Sequence, residues 1–99
     1  MAEVVRVKAK RSSIDLPQPV EAFWAHGKFW VRRPEFDGHW EGNGSKVWFD
    51  YYPDEVEPLD GEVPPEPLKV IDVGETLKVD GVILKKVARD GVYIEVGAR

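Results

Sequence analysis

The chain has 99 residues and a formal charge of −4, which is room for one small core and too little for two independent ones. With 42% hydrophobic and 32% charged residues the composition is globular rather than disordered or membrane-embedded. No apolar run reaches the ~20 residues of a membrane-spanning helix. The opening Met1-Ala2-Glu3-Val4-Val5-Arg6 lacks the apolar stretch of a secretory signal, so a cytoplasmic or particle-associated location is expected.

Val5, Val7 and Ala9 alternate with Arg6, Lys8 and Lys10, the period of two that predicts a half-buried strand over 3–11. Ser12-Ser13 and the prolines Pro17 and Pro19 then interrupt regular structure, giving a loop or extended arm over 12–19. Any helix is confined to one short turn around Pro19–Trp24, with Pro19 at its start, because no apolar stripe of helical spacing runs longer. Ten of the 11 aromatic residues lie between Phe23 and Tyr52, and these residue types favour strands. Val20–Ala25 and Lys28–Arg33 flank His26-Gly27 as a hairpin. A further strand is expected near Glu35–Glu41, followed by the turn Gly42-Asn43-Gly44 and a strand over Lys46–Tyr52.

Pro53–Pro67 holds five of the eight prolines and six acidic residues with no Lys or Arg, the composition of an extended, self-repelling connection. Residues 1–33 carry seven Lys/Arg against three Asp/Glu, residues 34–67 one against ten, and residues 68–99 six against five. The connection is therefore expected to lie against a basic surface, that of its own N-terminal strand or of an adjacent subunit. Beyond it, Leu68–Val73, Leu77–Val79, Val82–Ala88 and Val92–Val96 are separated by Gly74-Glu75, Asp80-Gly81 and Asp90-Gly91, which predicts an antiparallel meander. The fold class that results is all-β, a small antiparallel barrel or sandwich. The single domain 1–99 divides into an aromatic-rich N-terminal sheet (3–52), the acidic Pro-rich connection (53–67) and a C-terminal β-meander (68–97).

The chain has no cysteine, hence no disulfide framework, thiolate nucleophile or Cys-rich zinc site. Asp37, His39 and Glu41 would share one face of a strand and offer three metal ligands, but the same spacing describes the solvated side of a half-buried strand. His26 reads as a turn residue beside Gly27, and Ser12, Ser13 and Ser45 fall in loops without a nucleophile motif. Gly42-Asn43-Gly44 matches neither phosphate-binding nor dinucleotide patterns. No enzyme, metal or cofactor is expected.

The aromatic pairs Phe23-Trp24, Phe29-Trp30, Trp48-Phe49 and Tyr51-Tyr52 are the feature that carries function in the sequence. Adjacent strand residues point to opposite faces, so each pair places one ring on either side of the sheet. A chain this small covers one such face with its own meander and hardly both, unless the arm and connection fold back over the second. A partner is therefore expected, with Trp24, Trp30, Trp40 and Trp48 as anchors and Arg32 and Arg33 beside them, since interface cores favour Trp, Tyr, Phe and Arg. The reading is a non-enzymatic protein-binding or assembly module, self-associating or docking on a larger protein. The alternative is an aromatic platform for single-stranded nucleic acid or glycan, which Glu21, Glu35, Asp37, Glu41 and Asp50 in the same region disfavour for phosphates. Clustered cations, which a phosphate backbone needs, occur only in the N-terminal third.

Val73-Gly74-Glu75-Thr76-Leu77 through Arg89-Asp90-Gly91-Val92-Tyr93-Ile94-Glu95 resembles the small meander of periplasmic secretion and pilus-assembly components over the last quarter of the chain. The resemblance implies the meander and no function, since the membrane anchor or export signal of those families is missing from the sequence. As a small Cys-free β chain with extended arms, the protein is also similar in type to bacteriophage structural proteins, which makes a structural subunit of a phage particle one form of the assembly reading.

Overall fold

The computed structural model describes residues 3–16, 19–40, 42 and 44–98, excepting the side chain of Ala98. Eight strands form the fold: β1 (Glu3–Ala9), β2 (Val20–Ala25), β3 (Lys28–Arg32), β4 (Val47–Tyr51), β5 (Val56–Pro58), β6 (Thr76–Val79), β7 (Val82–Ala88) and β8 (Val92–Ala98). All pair antiparallel in one sheet of order β5-β1-β2-β3-β4-β8-β7-β6. The all-β class and the antiparallel pairing are as expected. The aromatic lobe and the meander, however, are two halves of one sheet, joined by the β4–β8 ladder from Val47↔Ile94 to Phe49↔Val92.

The turns explain the register. His26-Gly27 and Asp80-Gly81 both have positive φ at both residues, the two-residue turn whose twist matches that of the flanking strands. Val87 and Val96 are extra residues of β7 and β8 where the pairing steps from Lys86↔Tyr93 to Ala88↔Val92 and from Leu84↔Glu95 to Ile83↔Gly97. Such bulges bend a strand and increase its twist.

Four local expectations are corrected. Glu35–Glu41 is not a strand: Pro34–Phe36 forms a 3-10 turn, because Pro34 sets a helical φ and donates no hydrogen bond to a ladder. Pro19–Trp24 holds no helical turn, since Val20–Ala25 pairs with β1 on one side and β3 on the other. The connection contains a strand, β5, opposite Val7, Lys8 and Ala9. Leu68–Val73 lies outside the ladder and ends in a turn at Val73, held by the Lys69 amide on the His26 carbonyl at 3.0 Å. The turn residue Asn43 and the ligand candidate Glu41 lie outside the described residues.

The connection does lie against the basic N-terminal strand of its own chain. Arg6 reaches Asp60 at 3.0 Å and Lys8 reaches Glu57 at 3.9 Å, beside backbone bonds from Lys10 to Glu55 and from Leu59 to Arg6. Among the described residues no helix is long and apolar enough to cross a membrane.

The sheet buries opposite faces in its two halves. On one face Val7, Ala22, Trp24, Phe29, Val31 and Tyr51 form a core, roofed by Leu16 and Ile14 of the arm and by Val56 and Val63 of the connection. On the other, Trp30, Trp48 and Tyr93 pack with Ile71, Leu77, Val79 and Leu84. Consecutive residues of β3 thus serve different cores: Phe29 and Val31 the first, Trp30 the second. This is the alternation that the ring pairs encode, and the chain supplies cover for both sides.

Candidate functional site

Because both cores draw on the aromatic pairs, three of the four tryptophans are interior. Trp24 and Trp48 are 5% exposed and Trp30 is fully buried. Buried indole N–H groups need acceptors, and each has one. Trp24 donates to the Pro64 carbonyl at 2.6 Å, Trp30 to the Ala25 carbonyl at 2.9 Å and Trp48 to the Glu95 carboxylate at 2.7 Å. Their rings pack on Phe29 at 4.6 Å, Tyr93 at 4.8 Å and Phe23 at 5.7 Å respectively. Of the four tryptophans expected as partner anchors, Trp24, Trp30 and Trp48 are thus interior, because arm, connection and meander close over them.

Trp40 differs. It is half-buried on the segment after the 3-10 turn, with Phe36 and Phe49 each 6.4 Å away and His39 at 6.0 Å. Phe36 and Phe49, also half-buried, lie 5.2 Å apart. These rings cap a small third core of Val47, Val92 and Ile94 on the β4–β8 face, leaving an aromatic shelf at the surface.

The two arginines fix that shelf from beneath. Arg32 grips Asp37 through two bonds of 2.7 Å and also reaches the Val47 carbonyl, the fork geometry in which Arg pairs a carboxylate most strongly. Asp37 additionally accepts the Val47 amide at 3.0 Å. The hydrogen bond from Arg32 holds the Asp37 carboxyl below its ordinary value, with the Val47 amide adding to it against the cost of desolvation. Arg33 is 4% exposed. Its guanidinium bonds Glu35 at 2.9 Å, the Asp15 carbonyl at 3.0 Å and the Tyr51 hydroxyl at 2.8 Å, and it sits 5.1 Å from the Phe36 ring centroid and 5.3 Å from that of Phe49. Burial alone would lower the Arg33 value; the bond to Glu35 and the charges of Tyr51 and Glu35 outweigh it and raise it.

Of the candidate metal ligands, Asp37 and His39 do not stand on a strand face, since their segment follows a 3-10 turn and is no strand. Asp37 is committed to Arg32, His39 Nδ1 lies 2.9 Å from the Phe36 carbonyl, and Glu41 is outside the described residues. Among the described residues no three His, Asp or Glu side chains gather to hold a metal ion. His26 is a turn residue, its Nε2–H directed at the Lys78 carbonyl at 2.7 Å.

One polar cluster was invisible in the sequence. Lys28, 1% exposed, directs its ammonium at Asp50 at 2.9 Å, and the Tyr93 hydroxyl donates to the same carboxylate oxygen at 3.0 Å. The cation lies 4.9 Å from the Trp30 ring and within 6 Å of Tyr52 and Tyr93. Burial, reinforced by the Asp50 charge, pushes the Tyr93 phenol far above its ordinary value. A Lys at the edge of a turn reads as solvated; it is interior because it shares its face with Trp30, over which the meander folds. The one available signal was parity with Trp30, and parity does not say which face is covered.

Comparison with protein-family models, with curated proteins and with solved structures finds no match.

Proposed function

We propose that the chain is a non-enzymatic protein-binding or assembly module, of which a structural subunit of a larger complex such as a phage particle is one form. The observation that carries this reading is the placement of Trp40. It is the one tryptophan not enclosed in the core, and it stands with Phe36 and Phe49 on a shelf whose backing side chains are already ordered by Arg32–Asp37 and Arg33–Glu35. Rigid aromatic rings at a surface bind with little further loss of side-chain freedom, which is why they dominate protein interfaces. A nucleic-acid or glycan platform finds less support. Trp24, Trp30 and Trp48 present no open ring face, and Arg32 and Arg33 are neutralised by carboxylates.

Self-association through this face is tested by sedimentation of the full chain across concentration, with Trp40→Ala beside it. The wild type is expected to associate and the variant to remain monomeric with unchanged circular dichroism. A wild type that is monomeric up to about 1 mM, where even a binding free energy of about −4 kcal/mol would show, refutes self-assembly by this shelf.

A further inference from the structure

Residues 62–68, Glu-Val-Pro-Pro-Glu-Pro-Leu, form a strap across the first core, and the way the sheet holds them is the way a groove holds a proline-rich ligand. The Trp24 indole donates to the Pro64 carbonyl at 2.6 Å, beside the Phe29 ring at 4.6 Å. Val63 packs into the same core. At the far end the His26 amide, presented by a residue with φ 57, donates to the Glu66 carboxylate at 2.9 Å. The next contact is so close that a Cβ at Gly27 would come within 2.8 Å of the Leu68 Cα. Pro64 to Leu68 are nonetheless exposed on their outer side. The strap lies between two clefts, one of about 270 Å³ bordered by Phe29, Val56, Glu62 and Val63, the other of about 310 Å³ bordered by Trp24, His26, Glu66 and Lys78.

Aromatic grooves recognise Pro-x-x-Pro segments because these are extended before binding and lose little entropy, while an indole N–H reads a backbone carbonyl. Pro64-Pro65-Glu66-Pro67 has that spacing, and its Glu is the residue read by the His26 amide. We propose that the Trp24 groove is a recognition site for an extended, acidic Pro-Pro-Glu-Pro segment of a partner protein, and that residues 62–68 occupy it in cis as a displaceable mimic. The proposal rests on the protein-binding reading and gives it a partner chemistry, at a site separate from the Trp40 shelf. A second copy is the poorer occupant, because its strap is tethered on one side by β5 and on the other by β6 and cannot be offered without disturbing both. Tethering also sets the hierarchy: the cis strap is present at millimolar effective concentration, so an outside peptide competes poorly until the strap loses its anchors.

The test uses the full chain with Pro64→Gly, Pro65→Gly, Glu66→Ser and Pro67→Gly, and the synthetic peptide Glu-Val-Pro-Pro-Glu-Pro-Leu as probe. Binding is read by fluorescence anisotropy of the labelled peptide and by the NMR signals of the four indole N–H groups, that of Trp24 assigned with Trp24→Phe. The peptide is expected to bind the variant at least about tenfold more tightly than the wild type, to return the Trp24 indole to its wild-type position, and to lose affinity when its second Glu is replaced by Gln. A variant whose other indole signals are unchanged but which ignores the peptide overturns the proposal, as does binding that leaves Trp24 unmoved. Conversion of the variant to a dimer with the Trp24 signal restored puts a second copy in the groove and overturns the assignment to a partner. If the variant does not fold, hydrogen exchange of the wild-type Trp24 indole decides. Exchange through local opening, faster than the amide of Trp30, supports a releasable strap, and exchange only through global unfolding overturns it. None of these readouts depends on Trp40, so the two sites fail separately.

Discussion

Replacing Lys28 by Met is the sharpest probe of how the two halves of the sheet are held together. Lys28 comes from β3, Asp50 from β4 and Tyr93 from β8, so one carboxylate ties the aromatic lobe to the meander. The side chains of Lys28 and Asp50 are only 2% and 9% exposed, with 2.9 Å between charges. At an effective dielectric of about 20 that separation corresponds to roughly 6 kcal/mol of attraction, most of it offset by the cost of removing both ions from water. Met preserves the unbranched stem that packs on Trp30 but leaves Asp50 charged, buried and bonded to Tyr93 alone. An orphaned buried charge costs about 3–5 kcal/mol. Taking the lower end, because Tyr93 still donates, the expected loss is about 3 kcal/mol, a fall in Tm of roughly 12–24 °C for a domain of this size. Adding Asp50→Asn removes the second charge while keeping an acceptor for Tyr93, so the double variant should recover about 2 kcal/mol relative to Lys28→Met alone. Urea unfolding followed by tryptophan fluorescence measures all three proteins, with equal m-values required for comparison. A Lys28→Met protein within about 0.5 kcal/mol of wild type, or a double variant less stable than the single, would refute the argument.

Gly91 combines a φ of +86° with a site where an added Cβ would overlap the Asp50 carboxylate, so Gly91→Ala should cost about 1–3 kcal/mol in chemical denaturation and displace Asp50 from Lys28. Tyr51 and Tyr93 both have values raised above the ordinary 10.0, chiefly by burial. Folding thus favours their protonated forms, a contribution fully present below pH 10 and lost above it. A spectrophotometric alkaline titration should show these two phenols ionising together with unfolding, whereas ionisation in a folded chain would contradict their burial. Asp37, held low by Arg32, contributes in the opposite window, above its ordinary value of 3.8, and that contribution disappears as pH falls through the folded value. Asp37→Asn should accordingly loosen the Trp40 segment at neutral pH, seen as faster amide exchange at Val47, and make less difference in acid. Neutralising Glu57 and Asp60 together should change stability by less than about 1 kcal/mol, because both ion pairs are solvent-exposed and the β1–β5 backbone bonds remain; salt-dependent release of β5 would show that charge, not the ladder, holds it.

The hairpins were legible in the sequence because their turns are chemically local. His26-Gly27 and Asp80-Gly81 carry residues that accept positive φ, and the flanking β-branched and aromatic residues favour extended chain whatever surrounds them. The ring pairs likewise announced that both faces of the central strands are apolar, since alternation is a property of the backbone alone. Local rules misread Glu35–Glu41, where the single Pro34 outweighed an alternating pattern, and Val56–Pro58, where proline-rich composition hid a short edge strand. Proline tolerates an edge, and the composition of the segment says nothing of a partner strand that lies some fifty residues away.

What only the tertiary structure decided is which apolar face receives which cover. Trp24, Trp30, Trp40 and Trp48 look alike in sequence, yet three are interior and one stands at the surface, because burial depends on where Leu16, Val63 and the meander return to the sheet rather than on the strand that carries each ring. The same holds for Lys28. Its parity places it beside Trp30, but only the pairing of β8 with β4 brings Tyr93 to Asp50 and makes a buried cation tolerable. Period and turn chemistry act over two to four residues and are written in the chain; cover is a contact between separate segments, forty residues apart for Trp24 and Pro64, and it exists only once the sheet has formed.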